Sequence, residues 1–327
     1  MIDIRAEIKK GVFAIAVSAA LILSLCGSGC ESQPQNPVLP SDTETKNSAH
    51  PDSSPNEAPG NAAARFSIPS PSAPGIATAE NDKAAIDYSN ASDGYVMVKF
   101  QEGTDKELRT LIDAPNGVRY TYTLKPGDYA VYPLTEGDGE YVIGVYEQTE
   151  GIKYKIVVST LAEVSIEDPL MPFLTPSQYV KYDENSAVVA KAAELTADSR
   201  GLLDMISAVY NYVVSNFTFD DALAETVQSG YLPDVDAVLD SKKGICFDYS
   251  AVMAAMLRSR GVPTKLVVGF NEGDYHAWLN VHSPETGWIN MVVFFDGREW
   301  MLMDPTLAGG DVDYIAIEAD YEAKYQY

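Results

Sequence analysis

Cys246, His276 and Asp304 all fall in the last third of the chain, and together they are residue types that can run acyl transfer through a thioester. Cys246 is the only cysteine after residue 30 of a 327-residue chain, and it sits in "KKGICFDYSAVMAAMLRSRGVP" (242–263). Every residue from Cys246 to Arg260 is compatible with a helix. "SAVMAAML" (250–257) is apolar almost all round, which marks a helix buried in its domain. Gly244 permits a sharp approach, and Gly261 followed by Pro263 ends the run. Cys246 therefore belongs to the first helical turn. Unpaired backbone N–H groups and the positive end of the helix dipole there favour thiolate over thiol. The same N–H groups can hold the oxyanion of a tetrahedral intermediate. Asp248 stabilises the helix start but slightly opposes the thiolate.

A lone buried cysteine is commonly a small core residue and nothing more. Two features argue for reactivity here. With Cys30 engaged elsewhere, Cys246 has no internal disulfide partner, and an odd thiol in an exported chain points to chemistry. The second feature is a suitable imidazole downstream. "TKLVVGFNEGDYHAWLNVH" (264–282) and "GWINMVVFFDGREWMLMDPT" (287–306) read as strands over 264–270, 275–282, 287–294 and 299–304. Asp296-Gly297 is a hairpin signal between the last two. His276 opens one strand and Asp304 ends another, just before Pro305. A thiol helix packed on such a sheet assembles a triad: His276 takes the thiol proton and returns it to the leaving amine, and Asp304 orients the imidazole.

Other candidates carry less. Trp278 shares the strand face of His276 and is expected to wall the site. His282 shares that parity, but six residues of strand put it ~20 Å away. Cys246, His276 and Asp304 could in arithmetic ligate a metal, yet no second nearby thiol or histidine supports that. No metal or other cofactor is expected. His50 is expected in solvent. No Gly-x-Ser-x-Gly elbow, P-loop or dinucleotide fingerprint occurs, and no internal repeat is found.

"GICFDYSAVMAAMLRSRGVPTKLVVGF", "YHAWLNV" and "WMLMDPT" resemble the three core motifs of the transglutaminase-like superfamily, in order and spacing, over about 185–307. The resemblance implies a papain-like α+β fold and metal-free thioester chemistry, with Cys246 as nucleophile, His276 as base and Asp304 as its orienting acid. Members of the superfamily crosslink Gln to amines, cleave amide bonds, or are inactive. Animal transglutaminases supply an upstream Trp to the oxyanion hole. This chain has no Trp before 278, and Tyr231 in "SGYLPD" is the candidate substitute.

The elements that must position these residues follow from hydrophobic period. "NSAVVAKAAELT" (185–196), "GLLDMISAVYNYVVSNF" (201–217) and "DVDAVLDSKK" (234–243) read as helices ahead of the thiol helix, within a domain expected over 168–327. Before it, 84–167 alternates with period two. "YVMVKF" (95–100), "VRYTYTL" (118–124), "DYAVYPL" (128–134), "EYVIGVYE" (140–147) and "KYKIVVST" (153–160) are separated by Gly- and Pro-bearing turns. That spacing predicts a small all-β sandwich of immunoglobulin-like type, serving as a spacer or interaction module. The crossing "EDPLMPFLTPSQYV" (167–180) carries apolar residues expected to pack between the two parts.

Nine of the nineteen prolines lie between Pro34 and Pro74, among Ser, Asn, Ala and Asp, so 30–83 is expected to be a disordered tether. Arg5, Lys9 and Lys10 precede the apolar run "GVFAIAVSAALILSL" (11–25), shorter than the ~20 residues a membrane-spanning helix needs, so 1–29 reads as a signal peptide. Its tail resembles a bacterial lipoprotein signal. That resemblance assigns the lipid to Cys30, preceded by Ser28 and Gly29, over Cys26, preceded by Leu25.

Net charge of −24 argues against a nucleic-acid partner, because phosphates repel such a surface. The expected protein is an extracytoplasmic, membrane-anchored thiol acyl-transfer enzyme acting on protein or peptide amides. Hydrolysis is favoured over Gln–amine crosslinking, since no amine-binding feature or calcium loop is recognisable. The competing expectation is a catalytically silent scaffold that binds a cell-surface or secreted partner.

Overall fold

The computed structural model describes residues 2–3, 66–101, 103–271, 273–290, 294–295, 300–301 and 321–327. The expected signal peptide over 1–29, apart from residues 2–3, Cys30, the tether up to residue 65, and Asp304 lie outside the described residues.

Strands dominate the first half, because β-branched and aromatic side chains fit a pleated, half-buried surface. In chain order they are β1 (Ile2–Asp3), β2 (Thr78–Glu80), β3 (Ala84–Asp87), β4 (Tyr95–Phe100), β5 (Leu108–Asp113), β6 (Arg119–Leu124), β7 (Ala130–Pro133), β8 (Gly139–Glu150) and β9 (Lys153–Val164). They form two antiparallel sheets, ordered β2-β3-β4-β7 and β1-β9-β8-β5-β6. Ile86, Val96, Val98 and Phe100 of the first sheet share one buried cluster with Ile112, Tyr120, Tyr122, Ile143 and Val145 of the second. In β6 the alternation is clean: Tyr120, Tyr122 and Leu124 are buried, and the residues between them are not.

Two strands escape the period-two reading. β3 is buried at all four positions and rich in Ala, and β5 hides Thr110 in the core between Arg109 and Leu111. The tether expected to reach residue 83 also ends earlier. β2 pairs with β3, Ser72 N donates to Tyr95 Oη at 3.2 Å, Gly75 N donates to Asp87 Oδ2 at 2.7 Å, and Ile68 packs against the core. Backbone hydrogen bonding organises this polar, Pro-containing stretch without requiring its side chains to be apolar.

The crossing buries Phe173, Leu174, Tyr179 and Val180. Helices then alternate with short strands: α1 (Ala187–Leu195), α2 (Leu202–Asn216), β10 (Thr218–Phe219), α3 (Asp221–Thr226), α4 (Val235–Ser241), β11 (Lys243–Gly244) and α5 (Cys246–Arg258). Helix α5 is buried from Asp248 to Arg258 and is surrounded by α1, α2 and α4 on one side and by a sheet on the other. That sheet contains β12 (Thr264–Asn271), β13 (Asp274–Ser283), β14 (Gly287–Asn290) and β17 (Tyr321–Gln326), ordered β14-β13-β12-β17 and wholly antiparallel. β15 (Phe294–Phe295) and β16 (Trp300–Met301) form a separate antiparallel pair around the Asp296-Gly297 turn signal.

The expected break between sandwich and thiol domain is not a gap in packing. Phe66–Tyr327 group as one compact unit, and a single hydrophobic cluster runs from Ala84 to Tyr327. Tyr120 and Tyr122 of β6 meet Tyr327 with ring centroids 5.5 and 5.8 Å apart, and Tyr179 of the crossing meets Tyr327 at 4.7 Å and Phe247 at 5.2 Å. Among the described residues, no helix is long and apolar enough to cross a membrane.

Candidate active site

The approach to Cys246 is built by backbone. Helix α4 ends on Lys242, which is left-handed (φ 52°). β11 then pairs in parallel with β10, and Asp220 N donates to Gly244 O at 2.9 Å. Ile245 is extended, and α5 starts at Cys246, the only cysteine among the described residues, which is half-buried. The thiol thus occupies the first helical position, as its sequence context predicts.

Asp248, fully buried, closes this turn. Its Oδ2 accepts from Ile245 N at 2.9 Å, the carboxylate half of a capping box. Its Oδ1 accepts from the Tyr231 hydroxyl at 2.7 Å. Burial is the main reason its carboxyl is held above the usual carboxylate range, with these two donors acting against the shift. Gly244 has a specific reason to be glycine: a Cβ there would lie 2.6 Å from Asp248 Cβ and 2.9 Å from Asp248 Oδ2. The carboxylate folds back over the residue that introduces the helix.

Tyr231, the candidate oxyanion donor, is bonded to this carboxylate. A phenol carries one hydrogen, and the Tyr231 hydroxyl gives it to Asp248. Burial first, then Asp248, Asp220 and Asp234, push the Tyr231 phenol strongly upward, so it keeps that proton. Sequence reading identified both residues but not their bond, whose partners lie 17 positions apart.

His276 is the third residue of β13, half-buried and directly opposite Gly269 of β12. Helix α5, which carries Cys246, packs against β12 and β13. The His276 ring lies 6.5 Å from Trp278 and 6.4 Å from Tyr321, and Trp278 meets Tyr321 edge-on at 5.0 Å. Trp278 therefore walls the imidazole, as expected from strand parity. The wall needs Gly269: a Cβ there would fall 2.9 Å from the Trp278 ring and 2.0 Å from Glu322 O of β17. Tyr321 was not foreseen, because β17 reaches β12 from the far end of the chain.

Tyr275 precedes His276 in β13 and is 66% exposed, with its ring edge-on to Phe270 at 5.7 Å. Its phenol is pushed up to about 12, first by desolvation and then by Tyr325 and Cys246. His282 belongs elsewhere: its ring lies 5.1 Å from Trp288, whose ring also carries Lys265 Nζ at 4.2 Å from its centroid. Among the described residues, no group of three or more His, Cys, Asp or Glu could hold a metal ion.

The transglutaminase-like superfamily profile matches residues 189–305, a span that contains α5, β12, β13 and the position of Asp304. The uncharacterized protein YebA of Bacillus subtilis is 27% identical over 183 residues, covering 49% of this chain and 24% of YebA. A protein-glutamine gamma-glutamyltransferase of Pseudomonas aeruginosa is 31% identical over 70 residues, covering 17% of this chain and 10% of that protein. The chain thus spans about a quarter and a tenth of the length of these curated relatives. Among solved structures, a candidate cysteine protease from Cytophaga hutchinsonii aligns with TM-score 0.36 and 14% identity, over 77% of this chain and 74% of that one. Red sea bream transglutaminase aligns with TM-score 0.29 and 11% identity, over 59% of this chain and 47% of that one.

Proposed function

We propose, from the match of residues 189–305 to the transglutaminase-like superfamily profile, that the chain is a thiol acyl-transfer enzyme acting on protein or peptide amides. Cys246 attacks the amide carbonyl to form a thioester. His276 accepts the thiol proton and delivers it to the leaving amine, and Asp304 orients and stabilises the imidazolium. Water then releases the acyl group, regenerating the thiol. We favour this hydrolysis over capture by an amine because no amine-binding feature is recognisable in the sequence.

One observation carries the reading: a half-buried thiol stands at the first position of a buried helix that packs on the strand bearing His276. A cysteine serving only as core filler has no need of the N-terminal position or of a carboxylate-locked approach. The test is incubation of the full chain with a peptide library, with and without a primary amine, followed by mass spectrometry. Cleaved peptides that disappear in Cys246→Ala support the proposal. Amine-bearing peptides would move it to crosslinking, and no change in any peptide would leave the scaffold reading standing.

The location belongs to the same proposal. The apolar run before Cys30 reads as a lipoprotein signal, so we place the enzyme outside the cytoplasm, held at a membrane by a lipid on Cys30. The sandwich is read as immunoglobulin-like. In support, β3, β4 and β7 form one sheet and β9, β8, β5 and β6 the other, so the chain changes sheet after β4, β6 and β7, as in that fold.

A further inference from the structure

The loop between α3 and α4 touches two parts of the molecule at once. Gly230, with φ +88°, is pressed against the sandwich: a Cβ there would lie 2.3 Å from Thr123 Oγ1 of β6 and 3.2 Å from Arg109 Nη1 of β5. The next residue is Tyr231, whose hydroxyl holds Asp248. The surface that receives Gly230 is itself fastened. Arg109 Nη1 donates to Thr123 Oγ1 at 2.7 Å, Arg109 pairs with Glu107, and Gln178 Nε2 donates to Thr123 O at 2.6 Å. The Arg109 side chain is only 13% exposed. Direct contacts therefore run from β5 and β6 through Gly230 and Tyr231 to Asp248, and from Asp248 to Ile245 N, the amide next to Cys246.

We propose that the β5–β6 edge of the sandwich is a working part of the thiol site, bracing a Tyr231–Asp248 pair that positions the first turn of α5. Tyr231 and Asp248 are positioning residues, and Thr123 and Arg109 support them. The proposal rests on Cys246 being the nucleophile only in naming what is positioned. Its physical basis is that reacting groups must be held within a fraction of an ångström by neighbours that are themselves locked. Asp248 is the element that needs bracing. A buried carboxylate that loses one of its two donors is costly to keep ionised, and it lies two residues from the thiol. Tyr231, Asp220 at the head of α3, Asp234 at the head of α4 and Tyr249 of α5 act on or beside the pair, and the Tyr275 phenol of β13 interacts electrostatically with Cys246.

The experiment is the pH profile of Cys246 alkylation by iodoacetamide in the folded full chain, read on the Cys246 peptide by mass spectrometry. Tyr231→Phe removes the donor. Gly230→Ala pushes the loop off the sandwich. In both, Asp248 becomes less ionised, and alkylation near pH 7 is expected to speed up about threefold or more. Thr123→Leu presses on Gly230 from the sandwich side without altering residue 230, whose φ of +88° strains an alanine whatever the space, and is expected to move the profile in the same direction. Wild-type profiles in both Tyr231→Phe and Gly230→Ala overturn the proposal. So does a wild-type profile in Thr123→Leu. If Gly230→Ala does not fold, Tyr231→Phe decides by itself. No substrate enters this measurement, so it fails or succeeds independently of turnover and of the Cys246→Ala test.

Discussion

At the scale of single residues, Cys246 and Asp248 ask for opposite things. The helix start favours a negative sulfur, and a carboxylate two residues on disfavours it. The carboxylate is tolerated because Ile245 N and the Tyr231 hydroxyl both point at it. Replacing Cys246 by Ala deletes one small, half-buried side chain, so turnover should vanish while the urea midpoint changes little. Asp248 gives a pH-dependent prediction. Burial raises its folded pKa above the unfolded value near 3.9, so its stabilising contribution is complete below that value and is lost as pH rises through the folded one. The stability deficit of Asp248→Asn relative to wild type should therefore be largest at about pH 3.5 and shrink towards about pH 8 in urea titrations. A deficit constant with pH would mean that Asp248 is not the raised carboxyl described above.

At the scale of elements, the two ends of α5 are held by different chemistry. The N-terminal end depends on Gly244. Gly244→Ala should cost about 1–3 kcal/mol by displacing Asp248, seen as a lower urea midpoint with an unchanged slope. The C-terminal end depends on Arg258, fully buried, whose guanidinium donates to Thr264 O at 2.8 Å, Thr175 O at 3.2 Å and Tyr327 O at 2.6 Å. Burial lowers its pKa to about 10, which still leaves it charged at neutral pH. One side chain thus ties α5 to the start of β12, to the crossing and to the residue after β17. Arg258→Met would leave three buried carbonyls without these donors and should cost about 2–5 kcal/mol. Arg258→Lys should recover little of that, because an ammonium cannot reproduce the planar fork. A Lys variant as stable as wild type would show that charge alone matters there.

At the scale of the whole molecule, the sandwich and the thiol domain behave as one body. Their shared cluster includes Tyr120, Tyr122, Tyr179 and Tyr327, and Thr135 Oγ1 of the sandwich donates to Gln326 O at 2.8 Å. Limited proteolysis should release one fragment carrying both parts. Its start should lie near Phe66 and not near residue 84, because Phe66 already packs against Gly261, where a Cβ would fall 2.9 Å from the Phe66 ring. N-terminal sequencing checks this, and a stable product beginning at 84 would contradict it. For the proposed anchor, Cys30→Ser should move the protein from the membrane fraction to the soluble one. Persistent membrane association with the first 25 residues retained would instead identify an uncleaved anchor.

What the sequence determined by itself is what a short window can encode. The apolar face of α5, its glycine approach, its Gly261 and Pro263 stop, and the alternation of β12 and β13 each depend on residues a few positions apart. Those signals placed Cys246 in a first turn and His276 near the opening of a strand before any contact was known. Asp304, the third member of the proposed triad, lies outside the described residues. Only the tertiary structure decided the rest. β17 joins β12 from fifty or more residues away, bringing Tyr321 beside His276. Tyr231 bonds Asp248, and Thr123 meets Gly230 across the expected domain boundary. None of these pairings leaves a local trace. A tyrosine or glycine carries the same propensity whatever it will touch, and only chain closure around a shared core selects the partner.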